Sequence, residues 1–400
     1  MIQTKESFHQ AKAIVIGGSL AGLFTGILLR SIGWKVDIYE RSSHDFSSRG
    51  GGIVLQPEIL AAFHQANVTY EEPLGVVANE RLYLKPDGSI AQRMTMRQTL
   101  TSWNLLYGTM RRHFPNHHYH VGKTLTEIQQ TDDQVTATFA DGTQATAALL
   151  IGADGADSTV RQQLLPSYQP SYAGYIAYRG LVNESDLSEK TAALLTERFV
   201  FQQLPNSHIL QYVIPGENES LVPGKRRFNW VWYVNYDEVT ELPKILTDKT
   251  GQQRDASVPP GLMAPAIEQQ MQDYASQVLA PPFQTLVKAT QEPFVQAIRD
   301  LGIPQMAFGR VALVGDAAFI PRPHTAAGVS KGAANALSLA EALVSHNHNV
   351  KQVLEMWETD QLWLGMNLWR RGQELGNRSQ FTHGKERFGP KNKVSNLVRH

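Results

Sequence analysis

Residues 13–41 read AIVIGGSLAGLFTGILLRSIGWKVDIYER, and the periodicities of this stretch decide the fold. Ala13-Ile14-Val15-Ile16 is a short β-branched run suited to a buried parallel strand, and it passes directly into the turn GGSLAG at 17–22. Leu20, Leu23, Phe24, Ile27 and Leu28 then recur at helical spacing up to Gly33, which suits a helix stop. Residues 35–39 form the next strand and complete a βαβ unit. Gly17 permits the tight turn, Gly22 lets helix and strand pack closely, and the free amides at the helix start face an anionic pyrophosphate. Ser19 stands at the middle position of the glycine fingerprint, where it narrows the approach and offers a hydroxyl. Glu40 closes the second strand where a carboxylate accepts ribose hydroxyls. The stretch predicts an adenosine-dinucleotide site.

Composition narrows the partners. The 400 residues suffice for two or three structural units. Lys plus Arg equals Asp plus Glu at 37 each, so no global field draws nucleic acid or an anionic membrane, and a small neutral ligand fits better. The absence of cysteine excludes disulfides, thiolate nucleophiles and cysteine metal sites and fits a reducing cytoplasm. The N-terminus MIQTKESFHQAK lacks the apolar core of a signal peptide, and no apolar run approaches the ~18 residues of a membrane span. These features predict a soluble cytoplasmic protein.

Beyond Arg41 a polar loop at 42–48 leads to Arg49-Gly50-Gly51-Gly52, where backbone could approach a flat ligand closely or simply turn. Residues 57–66 read as a proline-started helix, 81–93 as a hairpin around Pro86-Asp87-Gly88, and 103–114 as a helix. His117, His118 and His120 cluster without a third-ligand spacing or nearby carboxylate, so a solvated loop is expected and no metal site. Three strands, at 124–130, 134–140 and 144–151, predict a meander whose last turn is Asp141-Gly142. Asp154 and Gly155 fall in a strand-to-helix turn. Residues 172–182, 197–204, 208–214 and 227–236 alternate at period two and predict an antiparallel sheet. Trp230 and Trp232 share a face with Phe228 and Val234 and read as core, whereas His208 and Tyr212 share a face with Leu210. Residues 242–260 read as loop and 264–289 as helix. A buried strand returns at 308–318, ending in Gly315-Asp316. The loop Pro321-Arg322-Pro323-His324 precedes a helix over 325–342, and a last helix over 350–373 gives way to a loose tail at 376–400.

With GGSLAG and Glu40-Arg41, DGADSTVR from Asp154 and GDAAFIPRPHTAAG from Gly315, the chain resembles the FAD-dependent aromatic hydroxylases of the para-hydroxybenzoate hydroxylase type. Three motifs in this order are more specific than any one. IVLQPE from Ile53, YAGYIAYRG from Tyr172 and HILQYVIPG from His208 extend the likeness to hydroxylases of hydroxypyridines. The resemblance implies an α/β fold: a Rossmann-like FAD-binding domain of parallel sheet and meander at 1–170 and 292–348, and an antiparallel-sheet substrate domain at 171–291 with the 80–93 hairpin packing on it. A C-terminal helix and tail occupy 349–400.

The resemblance also implies noncovalent FAD held by Gly17, Ser19, Leu20, Ala21, Glu40, Arg41, Ile53, Tyr107, Leu125, Asp154, Asp316, Pro323, Ala327, Gly328 and Val329. Asp154 serves the pyrophosphate side and the visiting nicotinamide cofactor, NADH or NADPH, and Asp316 the ribityl chain. Tyr107 stands where the family has arginine, Phe319 where it has histidine, and Ala326 where it has glycine. The implied partners are a small aromatic substrate and O2, and a homodimer is compatible with the sequence. The implied reaction passes through a flavin C4a-hydroperoxide, which transfers oxygen to an electron-rich ring in a site that excludes water. Expected substrate contacts are Gln56, His208, Tyr212, Tyr233 and His324, with His324, His208 and Tyr212 catalytic. His324 is the expected base for a ring hydroxyl and His208 its rival. A flavin dehydrogenase or reductase on the same frame, without oxygen insertion, is the alternative.

Overall fold

A computed structural model describes residues 11–43, 51–71, 73–345 and 349–381. Lys12–Ile16 lies near the centre of a six-stranded sheet, paired in parallel with Lys35–Tyr39 on one side and Leu149–Gly152 on the other. Val311–Leu313 continues the parallel order and Ala307–Phe308 closes that edge, while Tyr119–His120 closes the opposite one. The Leu20–Ser31 helix crosses over this sheet and packs against the Gly328–Ser345 helix. The glycine turn is tight: Gly17 has φ +103, and a Cβ there would stand 2.4 Å from the Ala153 carbonyl oxygen. Two distant segments therefore meet at one backbone contact.

A nine-stranded sheet lies beside it in the order Ser257–Val258, Phe294–Asp300, Ser171–Asn183, Arg227–Asn235, Ser207–Ile214, Arg198–Leu204, Val76–Leu84, Ile90–Ser102, Gly52–Val54. All its pairs are antiparallel except Arg198–Leu204 with Val76–Leu84. Alternation divides its residues between two environments. Tyr178, Phe228, Trp230, Trp232 and Val234 pack into an apolar core with Phe283, Leu286 and Met271 from the helices Pro281–Ala289 and Pro265–Val278. Trp230 donates to Thr290 Oγ1 and Trp232 to Ser207 Oγ, each at 2.8 Å, so the two buried indoles are satisfied. The opposite face carries Tyr175, Ala177, Val231 and Tyr233.

Several boundaries differ from the sequence reading. The strand expected over 144–151 is two strands, Gln144–Ala147 in the three-stranded meander and Leu149–Gly152 in the parallel sheet; at the switch the Ala148 N–H donates to the Lys12 carbonyl. The hairpin is longer, running from Val76 to Ser102. The helix expected over 264–289 breaks before Pro281, because a proline supplies no N–H and pushes its neighbour to extended backbone; Ala280 has ψ 147. Within 242–260 stand a short helix, Leu242–Ile245, and the Ser257–Val258 strand. Pro323–Thr325 is a 3-10 turn ending in Ala326 at φ 54, so the next helix starts only at Gly328 and reaches Ser345. The last helix extends to Gln380, past the expected stop, since Gly372 and Gly376 let it lie against the backbone and side chain of Arg322. Residues 1–10, 44–50 and 382–400, which include Arg49, Gly50 and most of the expected tail, lie outside the described residues. Among those described, no helix is long and apolar enough to cross a membrane.

Gly17→Ala combines a positive φ with overlap against a backbone oxygen, and neither partner can move without shifting a central strand. Urea unfolding should show a loss of about 2 kcal/mol or more; an unchanged midpoint would remove the turn from its structural role.

Candidate functional site

Strand register assembles the site on the second face of the large sheet. His208 lies opposite Tyr233, and Tyr233 opposite Ala177; four residues on, Tyr212 lies opposite Asn229. Phe201 and Tyr233 stack on His208, with ring centroids 5.9 and 5.6 Å away. The loop at 321–324 then lays His324 over the same row, 4.7 Å from Tyr233 and 5.8 Å from His208, with Nε2 2.9 Å from the Tyr175 hydroxyl. The two histidines offered as rivals by the sequence are thus neighbours. Burial pushes the His208 imidazolium down to about 4, and burial, His208 and Arg322 push His324 down to about 3, so both are neutral imidazoles. The Nδ1 of His208 is buried without a hydrogen-bond partner among the described residues.

The Gly52–Val54 strand, at the edge of the same sheet, comes against this face through Gly52. The Gly52 N–H donates to Asn229 Oδ1 at 3.1 Å, and a Cβ on Gly52 would stand 2.3 Å from the Tyr212 ring. At Gly52, then, the close approach expected of a flat ligand is made by a tyrosine. Burial pushes the Tyr212 phenol up to about 12, with Arg179 and Asn229 opposing, so it stays a protonated donor. Arg179 was not singled out by sequence reasoning, although alternation in YAGYIAYRG sets it on the face of Tyr175 and Ala177. Its guanidinium contacts Gln296 at 3.3 Å and lies over Phe294, and its Nε is buried without a partner. Gln56 precedes the Pro57–Gln65 helix without capping it, and among the described residues no bond ties it to the histidine pair.

On the nucleotide side, Glu40 is 7% exposed and accepts from the N–H groups of Gly18 and Ser42, one on each oxygen at 2.8 Å, leaving a lone pair on each. Ser19 makes no side-chain cap and the first turn after it holds no acid, so the amides at Leu20 and Ala21 remain for an anion. Arg41 is exposed and its charge reaches Asp157. Tyr107 stacks on Trp103 and its hydroxyl meets that of Tyr119 at 3.2 Å, which in turn donates to the Gly18 carbonyl; the phenol standing at the family's arginine position supports the glycine turn. A cleft of about 1340 Å³ opens beside Glu40, Tyr107 and Arg111 and runs to Arg227 and Phe294. Ile53 is half-buried in the Gly52–Val54 strand, and Leu125 is buried at the start of the meander.

Asp154 accepts from Ser158 Oγ and from the Val160 N–H at the start of the Thr159–Leu164 helix, which Ser158 caps, and burial raises its carboxyl. Asp316 accepts from Lys331 Nζ at 2.9 Å through Oδ1; its side chain is 47% exposed, and Oδ2 takes no bond among the described residues. Lys331, buried on the Gly328–Ser345 helix, was likewise missed by sequence reasoning. Pro323 and Gly328 are exposed, Val329 half-buried and Ala327 buried, and no acid lies in the first turn of that helix. A ribose acceptor, two acid-free helix starts and a half-open carboxylate match the adenosine, the pyrophosphate, the flavin edge and the ribityl chain of FAD in their donor chemistry.

The histidine cluster is not a plain loop. His118 and His120 both bond Asp37 Oδ1, at 2.8 and 3.0 Å, on a neighbouring strand. The sequence showed no carboxylate near them because Asp37 is brought there only by the sheet.

A family model described as FAD binding domain-like matches residues 172–300. The chain is 34% identical to the 2,6-dihydroxypyridine 3-monooxygenase of Paenarthrobacter nicotinovorans over 371 residues, 92% of this chain and 91% of that protein. It is 25% identical to the 6-hydroxynicotinate 3-monooxygenase of Pseudomonas fluorescens over 354 residues, 84% of each chain. The solved structure of 2,6-dihydroxypyridine-3-hydroxylase from Arthrobacter nicotinovorans superposes with a TM-score of 0.87 at 33% identity, covering 96% of this chain and 95% of that one.

The neutral histidine pair has a measurable cost. Unfolding frees each histidine to protonate near pH 6.5, while folded His208 holds out to about 4. The unfolded state therefore binds the extra protons in that window, and stability falls as pH drops, by up to about 1.4 kcal/mol per pH unit for each histidine. Urea midpoints at pH 7 and pH 5 should differ less in His208→Gln than in wild type; an equal difference would mean that His208 titrates normally.

Proposed function

The chain belongs to the FAD-dependent aromatic-ring monooxygenases, and from that premise we propose that its substrate is an electron-rich N-heteroaromatic ring of the hydroxypyridine type. The observation that supports this reading is the neutral imidazole pair His208 and His324 set around Tyr233 in an aromatic-walled space. A hydroxypyridine offers a flat apolar ring with a donor and an acceptor on its edge. Stacking surfaces and uncharged nitrogen groups suit it, and a carboxylate-lined site would not.

When bound, FAD takes electrons from NADH or NADPH and supplies the activated oxygen. The chain provides the rest. His208 and Tyr212 hold the ring through one strand, with Tyr212 donating from a phenol that burial keeps protonated. Arg179 stands close enough to Tyr212 and Tyr233 to favour an oxyanion on the ring, which feeds electron density to the carbon being attacked. A neutral histidine accepts the hydroxyl proton. The prolines of the 321–324 loop restrict the backbone that carries His324, so little reorganisation accompanies binding. Phe199, Phe201 and Tyr233 exclude water from the ring.

Hydroxypyridines should stimulate NADH or NADPH oxidation, with oxygen uptake matched by hydroxylated product. Oxidation with no hydroxylated ring would instead indicate a reductase. Asp316→Ala removes a charged acceptor from a ribityl hydroxyl, a loss of about 1.5 to 3 kcal/mol, and should give largely colourless protein; full retention of flavin would refute the contact. His208→Ala and Tyr212→Phe should raise KM and divert oxygen to peroxide. If neither changes KM or product yield, the ring binds elsewhere.

A further inference from the structure

Tyr175 is completely buried in the middle of the Ser171–Asn183 strand, and its hydroxyl meets Nε2 of His324 at 2.9 Å, with the Arg322 guanidinium as its other polar neighbour. Either atom could donate, and the surroundings decide which does. A phenol has one proton and needs one acceptor for it. If His324 Nε2 donated, the tyrosine proton would be left in the interior without an acceptor, at a cost of the order of a lost buried hydrogen bond. The next polar group against the phenol is the Arg322 guanidinium, with its carbon 5.7 Å from the ring centroid; both the Tyr175 oxygen and Arg322 Nη1 crowd the same spot beside Gly376, 2.7 and 3.2 Å from where a Cβ would lie. Arginine has no acceptor atom. Its charge turns the lone pairs of the tyrosine oxygen toward itself and the O–H bond toward the histidine. The guanidinium cannot swing away, because Nε is paired with Asp300 at 2.6 Å and Nη1 with Asn377 at 3.0 Å.

We propose that Tyr175, oriented by Arg322, is a positioning residue that fixes His324 as its Nδ1–H tautomer, so that His324 donates a hydrogen bond to an acceptor atom on the bound ring, a ring carbonyl oxygen or pyridine nitrogen. Nε2 is occupied as an acceptor, and Nδ1 bonds to nothing among the described residues while its ring lies against Tyr233 and His208. A nitrogen that already carries hydrogen takes no proton from the substrate. The ring hydroxyl O–H then breaks toward the other imidazole, His208, where the new N–H forms and the oxyanion stays on the ring. The two histidines thereby take opposite parts, a donor and an acceptor, and the pocket selects rings that carry both an acceptor and an ionisable hydroxyl. This assignment of the acceptor to a substrate ring rests on the proposed function; the tautomer rests on the protein alone.

Ring-nitrogen correlation spectra of the FAD-loaded protein, uniformly labelled with 15N-histidine and with His324 identified by comparison with His324→Gln, read the tautomer without turnover. Wild type should show His324 protonated at Nδ1 and unprotonated at Nε2, and Tyr175→Phe should shift it toward the Nε2–H form. A wild-type His324 protonated at Nε2 would overturn the proposal. In steady-state kinetics with 2,6-dihydroxypyridine, Tyr175→Phe should keep its flavin and raise KM about tenfold, the worth of one misdirected hydrogen bond. The Nδ1–H tautomer with an unchanged KM would overturn the contact to the ring. Failure of every hydroxypyridine as substrate would refute the proposed function and leave the tautomer to be decided by the spectra.

Discussion

The buried pair between Arg322 and Asp300 holds the rest of the site in place. Arg322 belongs to an irregular proline-bound loop, and Asp300 ends an edge-side strand of the large sheet. Neither charge is tolerable in that interior alone, and each satisfies the other at 2.6 Å, with Asn377 taking a further N–H. The ion pair therefore fixes the loop to the sheet at one point, and His324, two residues on, hangs over His208 and Tyr233 as a consequence. The last helix completes the clamp. Gly372 and Gly376 bring it against Arg322, while Asn235 and Gln203 from the sheet donate to the carbonyls of Gln380 and Ser379 at its end. A helix that looks peripheral in the chain thus seals the loop that carries His324.

A second constraint operates on the nucleotide side, where polar groups are spent on supporting backbone and still leave capacity for a ligand. Glu40 uses one lone pair on each oxygen to hold the turn at Gly18 and Ser42. Tyr119 and Tyr107 brace the Gly18 carbonyl from the other side. Lys331 anchors one oxygen of Asp316 from inside and leaves the other outward. Each contact presets a geometry before a cofactor arrives, which lowers the ordering cost of binding.

How much of this was legible in the sequence depends on range. The first βαβ unit is a local pattern with glycines at the turn, and it stands as read. Period-two alternation correctly set His208 with Tyr212 and the tryptophans with Phe228, because a strand's face is a local property. Register is not local. That Asp37 serves His118 and His120 follows from which strands pair, and that Tyr175 meets His324 follows from where the Arg322–Asp300 pair pins the loop, information spread over the whole chain. The break at Ala148 was hidden because the half-exposed Gln144–Ala147 strand runs straight into the apolar Leu149–Gly152 strand with no turn residue between them. The end of the last helix was hidden because Gly376 looks like a stop unless the partner it approaches is known.

Isotope tracing tests the central claim, that this chain inserts oxygen into an N-heteroaromatic ring, most directly. With 2,6-dihydroxypyridine, NADH or NADPH and 18O2 in unlabelled water, the product should gain one hydroxyl whose oxygen carries the label. A product whose new oxygen comes from water, or an unmodified ring with all labelled oxygen recovered as peroxide, would contradict the account.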